Sequence, residues 1–165
     1  MEPILLLPIF LSFIVALIFF PHWIRKTKSI GLVWEDMNKF DKPKNVSGSG
    51  GVIVVLAFVI GALSYIALKT FVLGTNTTTL GIFALLTTII LASIIGFVDD
   101  LFGWVQGGLP ARLRVFLALI AAIPLVVINA GNSTIFIPFI GPTDIGLVFP
   151  LLIIPLAIAG VSTTY

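Results

Sequence analysis

Two adjacent carboxylates, Asp99 and Asp100, close a long apolar stretch in the run Gly96-Phe97-Val98-Asp99-Asp100. If that stretch is a helix ending there, the pair stands at the end where the helix dipole is already negative. Each acid so placed costs about 0.3–1 kcal/mol. Two like charges beside a low-dielectric boundary also repel one another. Acids at the edge of a membrane-length segment are functional candidates for that reason. A divalent cation would relieve these penalties, and Mg²⁺ is typically held by one or two carboxylates together with substrate phosphates. Neutralisation by Arg112 and Arg114, 12 and 14 residues past Asp100, is the alternative for the same pair.

The second chemically dense stretch runs from Gly31 to Gly51 as G-L-V-W-E-D-M-N-K-F-D-K-P-K-N-V-S-G-S-G-G. Three acids (Glu35, Asp36, Asp41) interleave with three lysines (Lys39, Lys42, Lys44), and Gly48, Gly50 and Gly51 then lead into an apolar stretch. A helix starting there offers free backbone N–H groups and a positive dipole end, which suits phosphate. Glycines let a ligand come close to the backbone. The same composition also fits a solvated basic loop that does no more than fix membrane topology.

The elements that must position these residues are membrane spans. Hydrophobic residues make up 59% of the 165-residue chain and charged residues only 10%, against roughly 25% charged in a soluble domain. A spanning helix needs about 20 mostly apolar residues. Spans are expected at about 3–20, 51–73, 80–98 and 115–129, and a fifth at 145–161 carries Pro150 and Pro155. Prolines kink such helices but are tolerated where neighbours satisfy the freed carbonyls. The expected fold is therefore an all-α polytopic membrane protein of about five transmembrane helices, forming a single transmembrane domain. A short outer β-hairpin is expected at Ser133–Pro138, turning at Gly141-Pro142. The first apolar stretch follows Met1-Glu2 without a basic segment and reads as a permanent span rather than a signal peptide. There is no cysteine and hence no thiolate metal site. A net charge of +2 gives little support to nucleic-acid binding.

Of the nine Lys and Arg residues, Arg25, Lys26, Lys28, Lys39, Lys42 and Lys44 lie between the first two spans, and Arg112 and Arg114 between the third and fourth. An even number of spans separates the two basic segments, 22–50 and 99–114, so they share a side. The positive-inside rule makes that side cytoplasmic and puts the N-terminus outside. Lys69, near the outer end of span two, is the exception and can snorkel. The sequons Asn76-Thr77-Thr78 and Asn132-Ser133-Thr134 then face outward.

The run D-M-N-K-F-D-K-P with glycines after it, G-F-V-D-D at the end of span three, and a basic residue opening span four resemble one family. It is the polyprenyl-phosphate N-acetylhexosamine-1-phosphate transferases. The W-E-D-M-N-K version is most similar to the archaeal and eukaryotic branch that uses UDP-N-acetylglucosamine (UDP-GlcNAc) and dolichyl phosphate. The resemblance covers essentially the whole chain. Because the family has about ten spans, the sequence looks like an N-terminal half. A C-terminal half supplying the main metal ligands is then an expected partner, as are the lipid bilayer and a second copy in a homodimer. The resemblance implies that Glu35, Asp36 and Met37 contact uridine. It implies that Asp99 and Asp100 stand by the metal (Mg²⁺, with Mn²⁺ as the alternative) and the lipid phosphate, and that Arg114 holds phosphate. Lys39 and Lys44 are further phosphate contacts on this reading. Two positions depart from the family pattern: Val46-Ser47-Gly48 replaces a frequent Pro-Glu, and Gly103 stands where a polar residue often follows the acidic pair.

The implied reaction transfers GlcNAc-1-phosphate from UDP-GlcNAc to dolichyl phosphate, the first step of lipid-linked oligosaccharide synthesis, and releases UMP. The implied location is the plasma or endoplasmic-reticulum membrane with the active loops cytoplasmic. A relative using another UDP-N-acetylhexosamine or undecaprenyl phosphate fits the same motifs. A non-catalytic module, such as a scaffold or transporter half, is the competing class. Transporters place broken helices and charges at the bilayer midplane, whereas the acids here sit at one edge.

Overall fold

The computed structural model describes residues 6–35, 39–41, 44–74, 79–106, 108–131 and 133–163. The chain divides into two compact units, one of Met1–Asn76 with Asp99–Gly108 and the other of Thr77–Val98 with Leu109–Tyr165. Four helices are long and apolar enough to cross a membrane, Leu6–Ser29, Gly51–Phe71, Thr79–Gly103 and Ala111–Ile128, and Phe149–Val161 is a shorter apolar helix. The protein is an integral membrane protein, and its many exposed Leu, Ile and Phe side chains are the surface that lipid covers.

In the first unit, α1 (Leu6–Ser29) packs against α2 (Gly51–Phe71). The contact is close because of Gly61. A Cβ there would overlap Ser12 Oγ and would lie 3.1 Å from the Pro8 carbonyl oxygen and 3.2 Å from Ser12 Cβ. Ser12 Oγ donates to the Pro8 carbonyl at 3.0 Å, so this small polar side chain costs nothing at the interface. Small residues that let backbones approach are the usual means of joining helices in lipid.

Helix α1 ends in a Schellman motif. Gly31 takes φ +79°; its N–H bonds the Lys28 carbonyl at 3.3 Å, and the Leu32 N–H bonds the Thr27 carbonyl at 2.9 Å. Glycine is used because the left-handed conformation clashes with a Cβ. The reversal drops Leu32 into the core, where it is 3% exposed. Two short strands follow, β1 (Val33–Trp34) and β2 (Val46–Ser47), paired antiparallel with Val33 opposite Ser47 and Trp34 opposite Val46. Buried Thr27 bonds Ser47 Oγ at 2.5 Å, tying β2 to α1.

Helix α3 (Thr79–Gln106) runs on through both units. In the second unit α4 (Ala111–Ala121) packs on α6 (Ile154–Thr163), and α5 (Ile123–Ile128) follows a break at Ala122, just before Pro124. A π-helical turn, Phe149–Ile153, precedes α6. Pro155 has no N–H to donate, and the Ile154 N–H reaches back to the Phe149 carbonyl. The strands β3 (Thr134–Ile137) and β4 (Gly141–Asp144) form the expected hairpin. Its turn is Pro138–Ile140, with Phe139 at φ +72°, and not Gly141-Pro142, because Pro142 pairs with Phe136 inside the ladder. The Gly146 N–H, 2.9 Å from Asp144 Oδ1, holds the Asp144 carboxyl below the ordinary carboxylate range, and a bond to Ser133 acts in the same direction.

Boundaries differ from the sequence expectation: the fifth span expected at 145–161 is the shorter apolar helix Phe149–Val161, and both basic segments are partly helical. The segment 22–50 is helical as far as Ser29, because Arg25, Lys26 and Lys28 continue α1 with their heads in water. The segment 99–114 is helical from Asp99 to Gln106 and again from Ala111.

Candidate active-site loop and acidic pair

The continuation of α3 changes the setting of the acidic pair. Asp99 and Asp100 lie more than a turn before the helix end at Gln106 and are not its terminal residues. The dipole penalty fades within the last turn, so like-charge repulsion and the membrane edge are the costs that remain. Asp99 is half-buried and Asp100 exposed. Ser49 Oγ donates to Asp100 Oδ2 at 3.2 Å, across 51 residues of sequence. That bond joins the glycine-rich end of the first loop to the acidic pair within one unit.

The backbone of this loop is shaped for the approach. Asn45 and Ser49 take φ of +67° and +55°, conformations that non-glycine residues seldom adopt and that cluster at functional sites. Ser49 and Gly50 lead into α2 through the Val52 and Ile53 N–H groups, which bond their carbonyls at 3.2 and 3.1 Å. Gly51, first residue of α2, is exposed, and a Cβ there would meet nothing within 4 Å. Gly48 is different. A Cβ on it would lie 2.5 Å from Trp34 Nε1, so this glycine makes room for an indole rather than for a phosphate.

Glu35, Lys39 and Lys44 belong to the same unit and are exposed. Asp36 and Met37 lie outside the described residues, as do Lys42, Asn76 and Asn132. Arg112 and Arg114 stand in the second unit, near the start of α4, which has no acid in its first turn. Two guanidinium groups near a positive dipole end are unfavourable for a bare helix and favourable for an anion.

Asp99 and Asp100 suit a divalent cation in donor type, as hard carboxylate oxygens. Among the described residues no group of three or more His, Cys, Asp or Glu converges on one point, so the pair matches a cation completed by phosphate or by other residues. Sequence reasoning missed Ser49 and Trp34. Both stand in the quoted motifs, but their use depends on contacts distant in sequence, and no local pattern signals those.

The sequence profile described as glycosyl transferase family 4 matches residues 82–165. A putative UDP-N-acetylglucosamine–dolichyl-phosphate N-acetylglucosaminephosphotransferase of Saccharolobus solfataricus is 34% identical over 161 residues, covering 98% of this chain and 46% of the relative. A protein of the same description from Sulfolobus acidocaldarius is 33% identical over 155 residues, covering 92% of this chain and 44% of its own. The chain thus spans less than half the length of these relatives. No solved structure matches.

Proposed function

The chain belongs to glycosyl transferase family 4, and from that membership we propose that the protein carrying it transfers GlcNAc-1-phosphate from UDP-GlcNAc to dolichyl phosphate. The structural observation behind the proposal is the Ser49–Asp100 bond, which ties the glycine-rich end of the first loop to one acid of the pair. The relatives' descriptions supply the substrates.

In the reaction a phosphate oxygen of the lipid attacks the β-phosphorus of UDP-GlcNAc. The bond from that phosphorus to the oxygen bridging the two phosphates breaks, and UMP leaves with the electron pair. The products are GlcNAc-pyrophosphoryl-dolichol and UMP. Phosphoryl transfer of this kind depends on positioning and charge neutralisation more than on covalent help. A phosphate's second pKa is about 6, so the lipid phosphate needs no carboxylate base near neutral pH. Asp99 and Asp100 would hold Mg²⁺ or Mn²⁺, which when bound supplies charge neutralisation at phosphate oxygens. Glu35, Asp36 and Met37 are assigned to the uridine, and Lys39 and Lys44 to phosphate. Arg114 is likewise assigned to phosphate, which it would grip as a planar fork rather than a point charge. A membrane-edge position for the acidic pair suits a reaction with one lipid and one water-soluble substrate. The positive-inside distribution supports a cytoplasmic face for it.

The test is the full-length protein, purified in detergent with Mg²⁺, dolichyl phosphate and radiolabelled UDP-GlcNAc. Metal-dependent label in a lipid pyrophosphate with stoichiometric UMP is expected. A lipid product formed only from another UDP-N-acetylhexosamine or only on undecaprenyl phosphate would change the substrate assignment. No lipid product from any of these would overturn the reading.

A further inference from the structure

Trp34 lies at the end of β1, is 39% exposed, and occupies the space that side chains on two distant glycines would need. Its Nε1 and Cδ1 would be 2.5 and 2.6 Å from a Cβ on Gly48, and its Cη2 and Cζ2 would be 3.2 and 3.8 Å from one on Gly103. One indole therefore rests on the glycine-rich end of the loop and also on α3. Gly103 is three residues past Asp100, so the two share a face of the helix. All of these residues belong to the first unit. The neighbouring Ser49–Asp100 bond is solvent-exposed, and a hydrogen bond in water holds geometry poorly by itself. A large ring packed closely between the loop and the helix holds it far better. The absence of a side chain at Gly103 is thereby accounted for: a Cβ there would crowd the indole.

We propose that Trp34 is a positioning residue, whose indole, seated between Gly48 and Gly103, holds the loop beginning at Glu35 in register with Asp99 and Asp100. The proposal rests on the transferase reading for its consequence, and on geometry alone for the clamp. Trp34 touches no reacting atom in this scheme. It fixes the distance between the nucleotide-side loop and the acidic pair, and misplacement by about 1 Å can cost about a hundredfold in rate.

Two measurements on the full-length protein test it. Hydrogen exchange at residues 33–35 and 44–48 reads the clamp without activity; the Gly48 N–H, bonded to the Leu32 carbonyl at 3.3 Å, is one reporter. Trp34→Ala should speed exchange there by about tenfold or more, as local opening becomes cheaper, while Trp34→Phe stays near wild type. Kinetics read the consequence. Trp34→Ala should lower kcat and raise KM for UDP-GlcNAc, together at least about tenfold in kcat/KM, with KM for the lipid phosphate nearly unchanged. Trp34→Phe should recover most of it. Gly103→Ala, whose new methyl crowds Cη2, should lose activity with Trp34 present and regain it when combined with Trp34→Phe, whose smaller ring leaves room for the methyl. This pair keeps the test open if Trp34→Ala does not fold. Faster exchange with wild-type kinetics would overturn the positioning role, and unchanged exchange would overturn the clamp. A wild-type protein that transfers nothing, yet loses protection in Trp34→Ala, would sink the transferase reading and leave a packing contact.

Discussion

Asp100 accepts a hydrogen bond from Ser49 and stands beside Asp99 on a helix that runs past both. A carboxylate that served only to fill the surface would be replaced by its amide without loss, and neutralising one of two adjacent like charges would relieve repulsion. Asp99→Asn and Asp100→Asn in the full-length protein are therefore expected to cut UMP release by about a hundredfold, in line with the loss of one transition-state electrostatic group. Their thermal stability in detergent should hold or rise. Near-normal release at saturating Mg²⁺ would remove both residues from the catalytic assignment. Ser49→Ala should have a milder effect, about threefold to tenfold on kcat, because the neutral donor orients Asp100 without adding charge. The acidic pair was legible in the sequence because charge at a membrane edge is conspicuous. Ser49 and Trp34 were not, since serine and tryptophan are ordinary in a loop until the partner 51 or 69 residues away is known.

Among the elements, the spans were readable because lipid imposes a length and an apolar composition on every crossing helix. Their ends were less readable. Long basic side chains let α1 continue to Ser29, and α3 continues to Gln106, because hydropathy falls off before backbone hydrogen bonding does. The small sheet of β1 and β2 escaped notice, as two-residue strands carry no periodicity. The hairpin was found but its turn displaced, since Gly-Pro is a turn signal that here serves as part of a strand. The α1–α2 pair yields a direct prediction. Gly61→Ala should destabilise the helix pair by about 1–3 kcal/mol, the usual cost of overpacking. Ser12→Ala in the same chain should restore most of it, because the overlapped atom is Ser12 Oγ. Thermal unfolding of the detergent-solubilised variants measures both; no recovery in the double variant would mean that the overlap is relieved elsewhere.

At the scale of the whole molecule, the proposed topology rests on the distribution of basic residues. Asp41 lies in the segment carrying Lys39 and Lys44, and Ile140 lies in the turn of the hairpin. Both are exposed, and the chain has no cysteine of its own to confuse a labelling experiment. With Asp41→Cys or Ile140→Cys in a cysteine-free full-length protein, an impermeant thiol reagent on intact cells should label position 140 and spare position 41. The opposite pattern would invert the orientation and with it the cytoplasmic assignment of the acidic pair. Lys69 does not disturb this arrangement. Its ammonium lies 5.8 Å from the centre of the Tyr65 ring, one turn back along α2, a contact that favours a cation near a span end.

The continuity of α3 has a consequence for the membrane itself. Asp99 lies 20 residues beyond Thr79 on one helix, about 30 Å along it at 1.5 Å per residue, and about 30 Å is also the thickness of a typical hydrocarbon core. The length of the apolar run before them thus bears on the depth of the carboxylates, as the bilayer does on that of a lipid phosphate. Thickening the bilayer should draw the acids toward the oily layer or tilt the helix, at a cost of fractions of a kcal/mol per Å. Proteoliposomes made from phosphatidylcholines of stepped acyl length should therefore show turnover that peaks at one thickness and falls on both sides. A flat response would mean that the loop and the helix end adjust their depth together.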